Sequence, residues 1–261
     1  MDPAAGREQV YQCVHCGHTV DELYKDFKKG IIKISHCNKC NEVADKYIEY
    51  DGVIIFLDIL LLQRPAYRHI LINSNYKGYW RLLLVLWLCD SLTKLMQRKA
   101  GVSSPRLQPD HVFYSALELD FYQDYLISTA ESLLFFAIIL GLLAAKYLSK
   151  HGNLNHFPQV DIVRALVISS LGRLLIVPAL IWGASYSALG VALAHFFVAS
   201  SNVQALRVVS KRTGLLQAAA VVMLGYGIQA LIVAYFREWI LHHATSSFTL
   251  PFNISYWVQL P

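Results

Sequence analysis

Charge is what this chain of 261 residues has least of: Asp, Glu, Lys and Arg make up 16% of it, against about 25% in an average soluble domain. With that little charge and 55% hydrophobic residues, a disordered chain is excluded. Fourteen glycines and eight prolines are too few for a collagen-like repeat, and five cysteines are too few for a secreted disulfide scaffold. The first ten residues hold Asp2, Arg7 and Glu8 and no apolar run, so no cleavable leader is expected there and internal segments are expected to provide targeting. A concentrated basic surface is also missing. The net charge of +5 divides into −2 over residues 1–51 and +7 over the rest, the reverse of a basic soluble module built to track phosphates. Nucleic acid is therefore not an expected partner.

What is present is a small polar head on a long apolar body. Residues 1–51 carry 16 of the 41 charges, whereas the last 141 residues carry only twelve. The head also holds four of the five cysteines, as Cys13-Val14-His15-Cys16 and Cys37-Asn38-Lys39-Cys40. Two cysteines three apart on a tight turn present both thiolates to one ion, and two such turns complete a closed four-sulfur shell of the structural kind. One zinc ion on Cys13, Cys16, Cys37 and Cys40 is the expected cofactor. A mixed shell using His15, His18 or His36 and a redox pair are the competing readings. Residues 20–27 and 31–34 suit a small β-ribbon around a turn at Lys29-Gly30, a zinc-ribbon-like domain of about 50 residues that needs a metal staple to be stable. Reduced thiolates place this head on the cytosolic side of any membrane.

The body reads as mainly α, a polytopic helical membrane protein. Residues 52–75 form a separate segment. Its apolar run 53–62 is too short to span and is broken by Asp58, and Pro65 punctuates the chain just beyond it. An in-plane amphipathic element is the preferred reading, with Tyr67, Arg68 and His69 as candidate lipid-facing polar residues; a helix packed on the ribbon is the alternative. Within 76–261 five stretches are long enough to span: 79–96, 125–147, 162–182, 186–206 and 215–236. The first is the weakest, with Arg81, Asp90 and Lys94. Polar residues inside such stretches are functional candidates by default. Glu131 and Arg173 are a candidate ion pair, and His195 is either a helix-packing residue or the base of a membrane-embedded acyltransferase.

Several separated motifs in 13–73 occur together. They read C-V-H-C-G, then L-Y-K-D-F-K-K-G-I-I-K-I-S-H-C-N-K-C, then D-K-Y-I-E-Y-D-G-V-I-I-F-L-D-I-L-L-L, then A-Y-R-H-I-L-I-N. In this order they resemble the homology domain of the Arv family, the ACAT-related proteins required for viability. Thinner similarity continues through G-R-L-L-I-V-P-A-L-I-W at 172–182 and S-N-V-Q-A-L-R-V at 201–208. The resemblance implies an endoplasmic reticulum membrane protein of lipid homeostasis, associated with sterol transport, sphingolipid balance and glycosylphosphatidylinositol anchor assembly. It carries over no catalytic residue.

Charge flanks set the expected orientation. Lys146 and Lys150 come after the second span, and Arg207, Lys211 and Arg212 after the fourth, which puts those ends in the cytosol. Five spans from a cytosolic head leave the C-terminus luminal, with Asn253-Ile254-Ser255 on the side where glycosylation occurs; the loop bearing Arg98, Lys99 and Arg106 fits this scheme badly. Three functions compete. The first is non-catalytic handling of a sterol, sphingolipid or anchor precursor. The second is a scaffold subunit for a glycosyltransferase of anchor assembly, with enzymes of lipid or anchor synthesis as partners. The third is an acyltransferase using His195.

Overall fold

The computed structural model describes residues 10–27, 32–74, 76, 78–101, 111–153, 157–175, 188–210 and 214–244. Two small antiparallel sheets open the chain. β1 (Tyr11–Gln12) pairs with β2 (Thr19–Val20), and β3 (Tyr24–Asp26) pairs with β4 (Ile32–Ile34) in the register Tyr24↔Ile34. The second pair is the expected ribbon, while the turn at Lys29-Gly30 lies outside the described residues. A short 3-10 turn, Lys46–Ile48, leads into helices α1 (Gly52–Leu60) and α2 (Arg64–Arg68), the latter continuing as a π turn, His69–Asn73. The rest is helical: α3 (Tyr79–Gly101), α4 (His111–His151), α5 (Gln159–Ser169), a 3-10 segment Ser170–Leu175, α6 (Ala188–Val209) and α7 (Leu215–Ala244).

The reversal between α1 and α2 has a local cause. Pro65 in the first turn of α2 has no amide hydrogen to continue a helix from α1, so the chain must turn before it. Leu62 makes that turn at φ 56, a left-handed conformation that costs a branched side chain about 1–2 kcal/mol. Tertiary contacts offset that cost, because α1 and α2 both grip the ribbon.

The expected span 162–182 is not one α-helix over its described part. The α-helix stops at Ser169 and tightens into the 3-10 segment. Ser169 and Ser170 explain the change: their hydroxyls donate back to the Leu166 carbonyl at 3.1 and 2.8 Å and compete with the regular ladder. Pro178 and residues 176–182 fall outside the described part, as do the connection 183–185, Arg106, Lys211-Arg212 and the Asn253 sequon. Two helical stretches, Glu118–His151 and Leu215–Phe236, are long and apolar enough to cross a membrane. They contain two of the five expected spans. The stretch 79–96 and the described part of 186–206, from Ala188, are helical as α3 and α6, but among the described residues they do not reach that standard.

The chain divides into two compact units. The first comprises Met1–Leu83, Pro158–Gly172 and Phe197–Ala218; the second comprises Leu84–Phe157, Arg173–Phe196 and Ala219–Pro261. The core of the first is built on Val14, Tyr47, Tyr67, Leu166 and Ile168, and that of the second on Leu86, Phe135, Ile139 and Val222. Gly172 in the first unit has no room for a side chain, since a methyl there would run into the Phe197 ring.

Candidate functional site

The two cysteine turns are built alike. In each, the residue after the second cysteine adopts a left-handed backbone, Gly17 at φ 76 and Asn41 at φ 59, and its amide donates 2.9 Å to the carbonyl of the first cysteine. Glycine meets that requirement without cost, and asparagine is among the few residues that tolerate it. The turn then aims one amide at a sulfur: His18 N lies 3.5 Å from Cys16 Sγ, and Lys39 N lies 3.5 Å from Cys37 Sγ. The pattern C-x-x-C followed by Gly or Asn is thus a backbone specification as well as a set of ligands.

All four sulfurs lie within 4.8 Å of one another. Cys13 Sγ is 3.7 Å from Cys40 Sγ, and Cys16 Sγ is 3.6 Å from Cys37 Sγ. These separations are far too long for a disulfide. They match the edge of about 3.8 Å in a tetrahedron of sulfurs around an ion with bonds of about 2.3 Å. The donor set therefore fits a metal ion with a closed four-sulfur shell. The Lys39 amide holds the Cys37 thiol down at about 7, while burial pushes Cys13 up to about 12. A divalent cation supplies the charge that ionises all four together.

The ribbon is tied to the segment after it. Arg68 Nη1 donates to the carbonyls of Val14 and His15 at 2.7 and 2.5 Å, so a guanidinium closes the backbone of the first cysteine turn. Its side chain also packs against Gly17, leaving 3.3 Å to any β-carbon placed there. Asp45, fully buried, accepts from Tyr47 N at 3.0 Å, His69 Nδ1 at 2.8 Å and Asn73 Nδ2 at 2.7 Å. Asn73 behaves like a strand partner of β1. It accepts from Gln12 N at 2.9 Å and donates to the Gln12 carbonyl at 2.8 Å. Tyr47 Oη donates 2.7 Å to Asp58, the residue that breaks the apolar run 53–62, and burial together with that carboxylate pushes the Tyr47 phenol above its usual range.

Tyr67 is fully buried, Arg68 holds the first cysteine turn and His69 holds Asp45, so the protein contacts of all three lie within the unit. One face of α1 remains apolar and exposed through Val53, Ile54, Leu57 and Leu61. The ribbon's hydrogen bonds run on past residue 51 to Asn73, so the four-cysteine head and the segment after it form one structural piece. Tyr67 extends it further. Its hydroxyl is hydrogen-bonded to Ser201 on α6 at 2.5 Å, and burial pushes the phenol up to about 12, so it remains neutral. Next to it on α6, Asn202 accepts from Ser169 at 2.5 Å.

The charged residues of the second unit pair differently from the sequence expectation. Glu131 takes Lys94 at 2.5 Å, and Arg173 faces Asp90 at 3.8 Å and Ser132 Oγ at 3.3 Å. The expected Glu131–Arg173 pair is replaced because Asp90 and Lys94, one turn apart on α3, offer each a partner. His195 is exposed on α6. Sequence reasoning missed Asp45, Asn73 and Tyr47 as organising residues. Only Asp58, an acid in an apolar run, carried a visible signal.

The sequence profile of the Arv1-like family matches residues 12–206, a span that holds all four cysteines and the residues gripping them. The chain belongs to that family. It is 35% identical to Protein ARV1 of Mus musculus over 88% of this chain and 85% of the relative. It is 33% identical to Protein ARV1 of Homo sapiens over 90% and 86%, and 34% identical to Protein ARV1 of Bos taurus over 88% and 80%. No solved structure matches the chain. Membership gives a role in lipid and sterol homeostasis at the level of the family.

The grip of Arg68 yields a prediction. Arg68→Met removes a charged donor from two carbonyls of the first cysteine turn, and losing such a support typically weakens a metal site by about 10–100-fold. Competition of the full-length protein with a graded series of chelators measures this. Arg68→Lys should restore only part of the affinity, because one ammonium lacks the planar fork of a guanidinium.

Proposed function

We propose that this chain is a polytopic membrane protein of the endoplasmic reticulum that handles lipids. It mediates or regulates the movement of sterol and the balance of sterols, sphingolipids and glycosylphosphatidylinositol precursors, without catalysis of its own. Zinc is the ion of the four-cysteine site, where it acts structurally. The ribbon faces the cytosol and the C-terminus the lumen.

One observation carries this reading beyond family membership: the second unit turns large apolar side chains outward and encloses several polar ones beside its apolar core. Leu88, Leu126, Leu133, Met223, Leu224 and Leu231 are exposed, while Ser91, Asp124, Ser128 and Ser132 are buried. In water such apolar faces would drive association. In a bilayer they are the ordinary surface, and interior polar groups are the costly feature that function retains. Pairing of the half-buried charges Lys94–Glu131 and Asp90–Arg173 also supports placing α3 in the bilayer, because each charge enters the unit already partnered.

Purification of the full chain in mild detergent, with identification of the lipids and proteins that accompany it, tests the reading. A sterol or glycolipid present in about one copy per chain is the expected result. A stable complex with a multispanning glycosyltransferase and no bound lipid would replace it with the scaffold reading. Loss of lipid acylation in a normally abundant His195→Ala variant would replace it with the enzyme reading.

A further inference from the structure

The inward stripe of α4 changes character along its length. Asp124, Ser128 and Ser132 are at least nine-tenths buried, and the same stripe continues as Phe135, Phe136, Ile139 and Leu143. The spacing of three to four residues puts them on one side of the helix. The apolar half is filled by α7: Phe135 stacks on Tyr226 at 4.5 Å, and a β-carbon on Gly225 would fall 2.5 Å from Ile139. The polar half is satisfied only in part. Trp87 Nε1, Gln123 Nε2 and Ser128 Oγ are buried without a hydrogen-bond partner, and Ser128 is fully enclosed.

Two of these atoms belong to one neighbourhood of the second unit. The Trp87 ring meets Tyr125 edge-on at 6.5 Å, one turn before Ser128 on α4, whereas Gln123 lies on the other side of that helix from Tyr125. Lys94, two turns beyond Trp87, pairs with Glu131, one turn beyond Ser128. Lys94 closes on Glu131 and Asp90 on Arg173. The orphans of this neighbourhood are uncharged: one N–H donor and one hydroxyl. A buried orphan of this kind is a cost that a well-packed helix pair avoids, so two together point to a ligand that completes them.

We propose that the polar seam between residues 87–94 of α3 and 124–132 of α4 binds the neutral, hydroxyl-bearing headgroup of a membrane lipid. The lipid's hydroxyl accepts from the indole of Trp87 and donates to the Ser128 oxygen. Its hydrocarbon stays outside, on the exposed apolar faces formed by Leu88 and Leu92 of α3 and Leu126 and Leu133 of α4. A phosphate is disfavoured there, because Lys94 and Arg173 already face Glu131 and Asp90 and the buried Asp124 adds a further acid. This inference rests on the lipid-handling reading above and assigns it a place and a headgroup chemistry. A sterol and a neutral glycolipid share that chemistry, and the test separates them.

The test uses the full chain purified in a phosphocholine detergent, which presents no hydroxyl of its own. Binding of tritiated cholesterol and of tritiated glucosylceramide is measured for the wild type and for Trp87→Phe and Ser128→Ala. Each variant is expected to bind the preferred probe about fivefold to tenfold more weakly, the effect of one hydrogen bond. The thermal midpoint of the lipid-free variants should stay level or rise, because each removes a buried group that had no partner. A purely structural role moves the other quantity, lowering the midpoint and leaving affinity intact. Trp87→Phe keeps the ring against Tyr125, so it reports on the indole N–H even if another variant folds poorly. Equal binding by the wild type and both variants would overturn the seam while leaving lipid handling in place. A folded wild type that takes up neither probe would remove the lipid-handling reading beneath it. Selective uptake of an anionic phospholipid, lost in the same variants, would overturn the neutral-headgroup assignment.

Discussion

Full-length protein carrying Cys37→Ser is expected to purify without bound metal and with both cysteine turns unfolded, while its apolar helices still insert. Cys37 supplies one of four sulfurs in a shell with no spare ligand, and its own sulfur sits 3.6 Å from that of Cys16. A structural zinc of this type contributes about 10–16 kcal/mol, comparable with the whole stability of an ordinary domain at about 5–15 kcal/mol. The damage should extend beyond the ribbon. Arg68, His69 and Asn73 hold α2 and the π turn against it through Val14, Asp45 and Gln12, so loss of the turns releases those partners as well. Metal analysis by mass spectrometry should fall from about one ion per chain to a trace. Proteolysis at Lys39 and Lys46 should become rapid. Resistance of the chain to alkaline extraction from membranes should not change, because α4 and α7 enter on their own hydropathy. Retention of a full equivalent of zinc by the serine variant would contradict the four-sulfur assignment.

The second large effect concerns the interior of the other unit. Lys94→Met leaves the Glu131 carboxylate, 27% exposed, without its cation. Removing one member of a fully buried pair costs about 3–5 kcal/mol, so this partly enclosed pair should cost about 3 kcal/mol at most, whereas replacing both by uncharged groups is often neutral. The single variant should therefore lose about 10 °C of thermal midpoint in detergent, and Lys94→Met with Glu131→Gln should recover most of it. The double-mutant cycle isolates the pair, since Asp90 and Arg173 form a separate contact at 3.8 Å. If the double variant were as unstable as the single one, the loss would come from packing around Lys94 rather than from the stranded charge. Repeating the cycle with Arg173→Met and Glu131→Gln checks the corrected pairing: these two should add independently, where the sequence expectation would have them couple.

Much of the metal centre was legible because its chemistry is local. Ligand type, the three-residue spacing and the residue after each pair all lie within five consecutive positions, and the backbone conformation that spacing requires is the same in both turns. The residues supporting it were not legible in that way. Asn73 meets Gln12 across 61 positions and His69 meets Asp45 across 24, and no short-range pattern marks a histidine or an asparagine as a partner for so distant a group. Polarity alone marked Tyr67, Arg68 and His69 as candidates, while the protein partners they take, Ser201, the first cysteine turn and Asp45, lie too far along the chain to be read from it.

Composition and hydropathy by themselves determined that the chain is a polar head on an apolar helical body, that the head carries four cysteines at metal-site spacing, and where the apolar runs lie, because each of these depends on neighbours along the chain. Tertiary structure alone decided which acid faces which base and that α2 closes the first cysteine turn. Those outcomes depend on which helix faces are brought together. A charge on a helix has several equally suitable partners in sequence, and only packing, by excluding water from some of them, selects one.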